Sequence, residues 1–164
     1  MYQDFTTTEN PKHISNLTFK IYNDSKCECM RINTSVSTLT DLETILIYFE
    51  IRAKSDEKSK EYDRLLLKGE LDLCKVSKGI VGGFIAQFMV DRVIKYSNAQ
   101  TLSCPINKQF LFVREAPLLR EKDLPTFLIP LRGKFHVFAM YKGKVYRKRS
   151  SVWLLSIHVY GEHI

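Results

Sequence analysis

The cysteines carry the most informative chemistry in this sequence. There are four of them, Cys27, Cys29, Cys74 and Cys104. Cys74 and Cys104 flank an apolar segment, and we expect them to form a disulfide that closes a loop of about 30 residues and stabilises the fold by roughly 3–4 kcal/mol. Cys27 and Cys29 are too close for an easy bridge to each other, because bridged Cα atoms lie about 5.5 Å apart. The pairing of Cys27 and Cys29 therefore stays open.

Metal and enzyme chemistry find little support in the sequence. One Cys-x-Cys and two isolated cysteines, with no histidine beside any of them, are a weak pattern for zinc. A Gly-rich phosphate loop, a Gly-x-Ser-x-Gly elbow and a His-Glu-x-x-His motif are all missing. The four histidines are scattered, and we expect His136 and His158 on an exposed strand face. We expect no metal, no cofactor and no enzymatic activity.

Three Asn-x-Ser/Thr sequons lie in the first quarter of the chain, at Asn16, Asn23 and Asn33. Sequons together with an even number of cysteines are typical of secreted glycoproteins. The alternative is that Asn/Ser/Thr-rich strands produce sequons by chance. Met1–Phe5 has neither the basic nor the apolar region of a signal peptide. We therefore expect an extracellular protein whose signal peptide is absent from this sequence.

A basic run occupies residues 142–149, and the whole chain has a formal net charge of +7. Such a run suits anionic lipid head groups or an acidic receptor face. The alternative is a solvated strand end whose lysines prevent edge pairing. Nucleic acid is disfavoured, because the sequons and cysteines indicate another compartment. The candidate surface patch comprises Lys142, Lys144, Arg147, Lys148 and Arg149.

Apolar residues alternate with period two along most of the chain, which predicts β-strands. We expect Gly69 to mark a bulge or turn, and Tyr141–Val145 to form a hairpin turn. We expect residues 1–15 to be flexible and residues 16–164 to form one domain. The predicted strands are Leu17–Tyr22, Met30–Val36, Thr44–Ala53, Tyr62–Cys74, Gln109–Val113, Phe135–Tyr141 and Val145–Tyr160.

One segment differs from this alternation. Residues Ile80–Tyr96 have the 3.6-residue periodicity of an amphipathic helix, with Ser77 as the expected N-cap. Seven short strands, together with one helix that lies between Cys74 and Cys104, predict a mostly β protein. We expect an antiparallel two-sheet sandwich.

The order of these elements resembles a known family. The chain has, in order, a strand ending in Leu73-Cys74, a helix, Cys104-Pro105, a Pro-rich turn and a strand starting at Gly133-Lys134-Phe135. This order is similar to that of an insect-specific family of small secreted proteins. That family, long labelled as a domain of unknown function, is usually placed in the ML-domain lipid-recognition superfamily, beside ganglioside-activator and sterol-transfer proteins. Some of its members are chemosensory proteins of gustatory hairs. The resemblance covers residues 16–160. It departs from the family at Cys27-Glu28-Cys29, since the family carries one cysteine in each of the first two strands.

The resemblance implies an immunoglobulin-like sandwich that holds a fatty acid, a sterol or a cuticular hydrocarbon between its sheets. Apolar ligands are held by burial, so bulky inward side chains are the candidates for a pocket. The alternative is the same sandwich with a dry core, acting through its surface as a structural domain or receptor partner. The candidate pocket residues are Ile47, Phe49, Phe84, Phe88, Phe110, Phe112, Phe135, Val137, Trp153 and Leu155.

Overall fold

The computed structural model of the chain describes residues 2–26, 29–56, 58–80, 87, 94–98, 102–117 and 133–163. Strands dominate these parts, with one short α-helix and one 3₁₀ turn. The elements are β1 (Tyr2–Glu9), β2 (Ile14–Asp24), β3 (Cys29–Thr38), β4 (Leu42–Ala53), β5 (Arg64–Asp72), α1 (Leu73–Ser77), the 3₁₀ turn (Ile94–Tyr96), β6 (Phe110–Pro117), β7 (Gly133–Val145) and β8 (Ser151–His163).

The strands form two antiparallel sheets that pack as an immunoglobulin-like sandwich, as the sequence predicts. The large sheet has the order β1-β8-β7-β4-β5, and the small sheet has the order β2-β3-β6. Strand β4 shows why the sequence folds this way. Ile45, Ile47, Phe49 and Ile51 are buried on its inner face, whereas the alternate residues are more exposed. The period-two pattern thus separates the core from the outer face.

The predicted disulfide is confirmed, because Cys74 and Cys104 are bonded with their Cα atoms 6.0 Å apart. Cys74 lies in α1, whose N-cap Asp72 accepts a hydrogen bond from the Cys74 N–H. Close to the disulfide, Leu42 and Ile106 exchange two backbone hydrogen bonds and are completely buried. The disulfide therefore ties α1 and the segment before β6 to the beginning of β4. The pairing of Cys27 and Cys29 lies outside the described residues.

Two glycine predictions are wrong for related reasons. Gly69 is regularly paired with Phe49 in the β4–β5 ladder, and the Phe49 ring packs over it. Gly143 lies inside β7, where its missing side chain leaves room for Leu42. Residues 141–145 therefore continue the strand, and the turn to β8 is formed by Tyr146–Ser150. In both places glycine accommodates a neighbouring side chain, which sequence alone does not distinguish from a turn.

The region after β5 also differs from expectation. The helix begins at Leu73 directly after the strand, and Ser77 is its last residue instead of the N-cap of a longer helix. Most of the predicted Ile80–Tyr96 helix lies outside the described residues. Gln87 is helical, and the segment ends in the 3₁₀ turn Ile94–Tyr96.

Residues 2–9, expected to be flexible, form β1 and pair with β8 from Tyr2 to Glu9. Strand β8 carries an irregularity next to Leu154, so that Tyr141 pairs with Leu155 and Lys142 pairs with Trp153. Because paired residues share a face of a sheet, Trp153 lies with the exposed Lys142 on the outer face. The predicted common face of Trp153 and Leu155 is therefore wrong, since the irregularity breaks the alternation.

Candidate functional site

A cavity of about 80 Å³ lies between the two sheets. Its large-sheet wall is apolar except for one tyrosine, and its small-sheet wall includes Ile14, Val36 and Leu111. This space is well above the ~15 Å³ that one water molecule needs, and below the ~150 Å³ of an engineered cavity that holds benzene. The large-sheet wall consists of Ile45, Ile47, Tyr141, Leu154, Leu155 and Ile157.

Residues 94–98 border the cavity at the free edge of β6. Ile94, Ser97 and Asn98 line it, and Ile94 is buried. The Asn98 side chain donates to the Phe110 carbonyl at 2.8 Å and accepts from the Phe112 N–H at 2.9 Å. An isolated bridge between Ser97 and Val113 continues this contact. The amide of Asn98 thus holds the segment against β6 as a neighbouring strand would.

The polar side chains around the cavity are bonded to protein, with one exception among those described. Thr34 donates to the Thr18 carbonyl at 2.8 Å, and Ser35 shares a hydrogen bond with the Thr18 hydroxyl at 2.7 Å. Thr38 accepts from the Gln109 N–H at 2.9 Å. The Ser97 hydroxyl donates to the Ile94 carbonyl at 2.6 Å, and Asn98 makes the two bonds given above.

The exception is Tyr141, whose hydroxyl makes no hydrogen bond to any described residue although it borders the cavity. Tyr141 is paired with Ile47 on one side and with Leu155 on the other, at the centre of the large sheet. Burial raises the pKa of the phenol to about 12. The sequence contains the signal for this inward position, since Tyr141 continues the alternation of Val137 and Ala139. The assignment of a turn to residues 141–145 concealed it.

Three of the predicted pocket residues, Ile47, Phe112 and Leu155, border the cavity. Two others lie elsewhere. Phe110 is 47 % exposed, with its ring 6.1 Å from that of Phe112, and Trp153 lies on the outer face of the large sheet.

The remaining predicted pocket residues do not line this space in the described part of the chain. Phe49 is buried against Gly69, and Phe135 packs over Gly161. Val137 is half-buried against the core cluster. Phe84 and Phe88 lie outside the described residues.

The predicted basic patch is divided between two places. Arg147, Lys148 and Arg149 are exposed in the turn between β7 and β8. Lys142 lies on the outer face of β7, and Lys144 forms an ion pair with Glu43 at 3.0 Å. Within the predicted patch, the turn therefore presents three adjacent cations to solvent.

The sequon asparagines differ in their accessibility. Asn16 and Asn23 are exposed. Asn33 is half-buried, and its side-chain oxygen accepts from the Glu115 N–H at 2.6 Å. Asn16 and Asn23 therefore offer free side chains on the surface of β2.

Histidines and tyrosines cluster on the outer face of the large sheet. His136 and His158, expected to be exposed, are half-buried, and their rings stack with centroids 5.2 Å apart. Tyr160 stacks on His136 at 4.7 Å, and Tyr62 contacts both of these rings. No three His, Cys, Asp or Glu side chains converge on a possible metal position in the described residues.

Beside this cluster, Glu50 accepts from Arg52 at 2.8 Å and from the Tyr48 hydroxyl. The hydrogen bonds from Arg52 and Tyr48 lower the pKa of Glu50. The carboxylate is therefore committed to its neighbours on β4 and has the character of a structural ion pair.

The fold and its interior define a disulfide-bonded β-sandwich with a small apolar cavity between its sheets. The chain belongs to the family described as "Protein of unknown function (DUF1091)", which its sequence matches over residues 47–137. That match spans more than half of the chain, from β4 into β7, and includes both bonded cysteines. No curated protein matches the sequence. Within the described residues, no helix has the length and apolar character needed to span a membrane.

Proposed function

We propose that this protein is a secreted binding protein that holds an apolar small molecule between its two sheets, in the manner of the ML-domain proteins. The observation that carries the proposal is the cavity of about 80 Å³, whose large-sheet wall is built from isoleucine, leucine and one tyrosine. Well-packed interiors contain few voids larger than a water molecule. A space of this size between sheets is therefore a candidate ligand site.

The ligand class proposed is a fatty acid, sterol or cuticular hydrocarbon, with chemosensation as the biological setting. A long chain needs more room than the cavity offers, so binding requires the sheets to separate or residues 94–98 to move. Asn98 holds that segment through two hydrogen bonds. Each of these bonds contributes about 1 kcal/mol net, and movement of the segment would also expose the buried Ile94.

Secretion is supported by the disulfide and by the exposed sequons at Asn16 and Asn23. Disulfides persist in oxidising compartments and are rare in the cytosol. An anionic membrane surface is the proposed docking partner of the basic turn, where Arg147, Lys148 and Arg149 are exposed. Clustered cations near an anionic surface contribute about 1 kcal/mol each.

A second candidate function is a receptor-partner domain that acts through its surface. The observation that favours it is the half-exposed ring cluster of His136, His158, Tyr160 and Tyr62 on the outer face. Tyrosine is enriched at protein interfaces. This function needs no ligand between the sheets.

The fluorescent probe N-phenyl-1-naphthylamine separates the two functions. We expect saturable binding by the wild-type protein and native mass spectra that retain one bound apolar molecule. Val36→Phe, which fills the cavity from β3, should weaken probe binding at least tenfold. Leu65→Phe, at a position 41 % exposed on β5, is the matched control and should bind as wild type does.

Wild-type protein that binds no probe and carries no lipid would overturn the proposal and favour the surface function. Equal probe binding by Val36→Phe and wild type would show that the probe sits elsewhere.

A further inference from the structure

We propose that the Tyr141 hydroxyl donates a hydrogen bond to an uncharged oxygen of the ligand, so that the cavity selects neutral amphiphiles such as alcohols, ketones and esters over carboxylates. This inference rests on the proposed function, because it narrows the ligand class of the same cavity: a sterol or a fatty-acid ester fits it, whereas an ionised fatty acid or a pure hydrocarbon does not. It is carried by one polar atom in an otherwise apolar or internally bonded wall.

The hydroxyl of Tyr141 is available for a ligand because no described residue bonds to it. The neighbouring polar groups on the cavity wall are already occupied. The hydroxyls of Thr34 and Ser97 donate to backbone carbonyls, and the Asn98 amide is bonded to β6 through both of its ends. The Tyr141 side chain is half-buried, and no described buried side-chain N or O atom lacks a hydrogen bond, so solvent can reach the hydroxyl when the cavity is empty. A ligand that excludes this solvent must offer an acceptor oxygen, because otherwise the hydroxyl is left buried and unpaired.

Electrostatics favour a neutral ligand oxygen. The described cavity wall includes no lysine, arginine or histidine that could pair with a carboxylate. An unpaired buried charge is far more costly than an unpaired neutral group. Burial raises the pKa of Tyr141 to about 12, so the phenol keeps its proton at physiological pH and acts as a donor.

Geometry places this donor at the centre of the large sheet. Tyr141 is flanked by Ile47 on β4 and by Leu155 on β8, which both border the cavity. The polar end of a ligand would therefore lie against β7, and its hydrocarbon part would contact the surrounding aliphatic side chains. A pure hydrocarbon would leave the hydroxyl unpaired, and a ligand with several polar groups would leave its own groups unpaired.

The test uses displacement of N-phenyl-1-naphthylamine by three probes of similar length, namely 1-octanol, 1-chlorooctane and octanoate, at a pH where octanoate is ionised. We expect wild-type protein to bind 1-octanol at least tenfold more tightly than octanoate. Tyr141→Phe should weaken 1-octanol binding about five- to tenfold, the value of a typical hydrogen bond. 1-Chlorooctane and the fluorescent probe have no oxygen to accept this bond, so they should bind to Tyr141→Phe as tightly as to the wild-type protein or more tightly. Tyr160→Phe, on the outer face, is the matched control and should behave as wild type.

A second measurement detects the hydrogen bond directly. The carbonyl stretching frequency of 2-nonanone labelled with ¹³C should be lower when bound to wild-type protein than in an alkane solvent, because a donated hydrogen bond weakens the carbonyl bond. In Tyr141→Phe, whose folding is checked by thermal unfolding, the frequency should return to the alkane value.

The outcomes separate the two proposals. If the protein binds the probe but 1-octanol binds equally well to wild type and Tyr141→Phe, the Tyr141 inference is overturned and the binding function still stands. The same holds if octanoate binds as tightly as 1-octanol. An unshifted 2-nonanone carbonyl does the same. Wild-type protein that binds neither the fluorescent probe nor any of the alkyl compounds overturns both.

Discussion

The Nε2 atom of His136 and the Nδ1 atom of His158 lie 3.0 Å apart on the outer face of the large sheet. One nitrogen must donate and the other accept, so the contact needs at least one neutral ring. Burial lowers the pKa of His136 most, followed by the charges of His158 and Arg52, and burial also lowers the pKa of His158. Both histidines are therefore held in the neutral form by the fold.

The histidine pair predicts an acid-sensitive fold. Both pKa values lie below the unfolded value of about 6.5, so the unfolded chain takes up protons first as the pH falls. Stability contributed by the neutral pair is complete above the unfolded value and is lost as the pH falls below it. The neighbouring charges are Arg52, which opposes protonation of His136, and Glu50, which favours it.

Urea unfolding at about pH 7.5 and about pH 5 measures this loss, which should be smaller in His158→Gln than in the wild-type protein. His13→Gln is the control, since the His13 side chain bonds to Thr40 before the beginning of β4, whereas His136 pairs with Arg52 at the end of that strand. An identical pH dependence in His158→Gln and wild type would contradict the assignment.

Gly69→Ala should destabilise the protein by about 1–3 kcal/mol, the usual effect of overpacking a core. A Cβ at this position would lie 2.5 Å from the Phe49 ring, and Phe49 is buried and cannot easily move. Chemical denaturation gives the free energy of unfolding. In a Phe49→Leu background the same glycine substitution should cost less, because the ring is gone. Equal costs in both backgrounds would exclude the contact as the cause.

Removal of the disulfide in Cys74→Ala/Cys104→Ala should lower the free energy of unfolding by roughly 3–4 kcal/mol, as expected for a loop of this size. The two cysteines are 30 residues apart in sequence. Reduced wild-type protein provides an independent control and should lose a similar amount. A free energy of unfolding that is unchanged by both treatments would mean that the disulfide constrains little of the unfolded chain.

Reversing two charges in the basic turn should weaken binding to anionic vesicles. Lys148→Glu/Arg149→Glu should reduce binding tenfold or more on vesicles with about 30 % phosphatidylserine, because each cation near such a surface contributes about 1 kcal/mol. Lys58→Glu/Lys60→Glu makes the same charge change in the loop after β4. This loop and the basic turn lie at opposite ends of β4. Sedimentation of vesicles measures the bound fraction. Similar losses in both variants would indicate a general charge effect.

Alternation in the sequence was sufficient to predict the sandwich and most of its strands, because a half-buried strand must place apolar residues on one face. Ile45, Ile47, Phe49 and Ile51 illustrate this. The disulfide between Cys74 and Cys104 was also predicted, from two cysteines that flank one apolar segment.

Positions that depend on neighbours distant in sequence were not predictable. Gly143 resembles a turn residue until Leu42 is known to occupy the space beside it. Because residues 141–145 form a strand and not a turn, the Tyr141 side chain borders the cavity. The irregularity at Leu154 similarly turned Trp153 outward, and no local pattern marks it.

The two hydrogen bonds of Asn98 have a consequence for self-association. Its side chain occupies the Phe110 carbonyl and the Phe112 N–H, which are groups that an exposed edge strand would offer to another chain. Another molecule cannot extend the small sheet at these positions without first displacing Asn98. Native proteins cover such edges to prevent aggregation. The segment that borders the cavity therefore also protects the edge of β6, and a movement of this segment that admits a large ligand would transiently expose that edge to other copies of the protein.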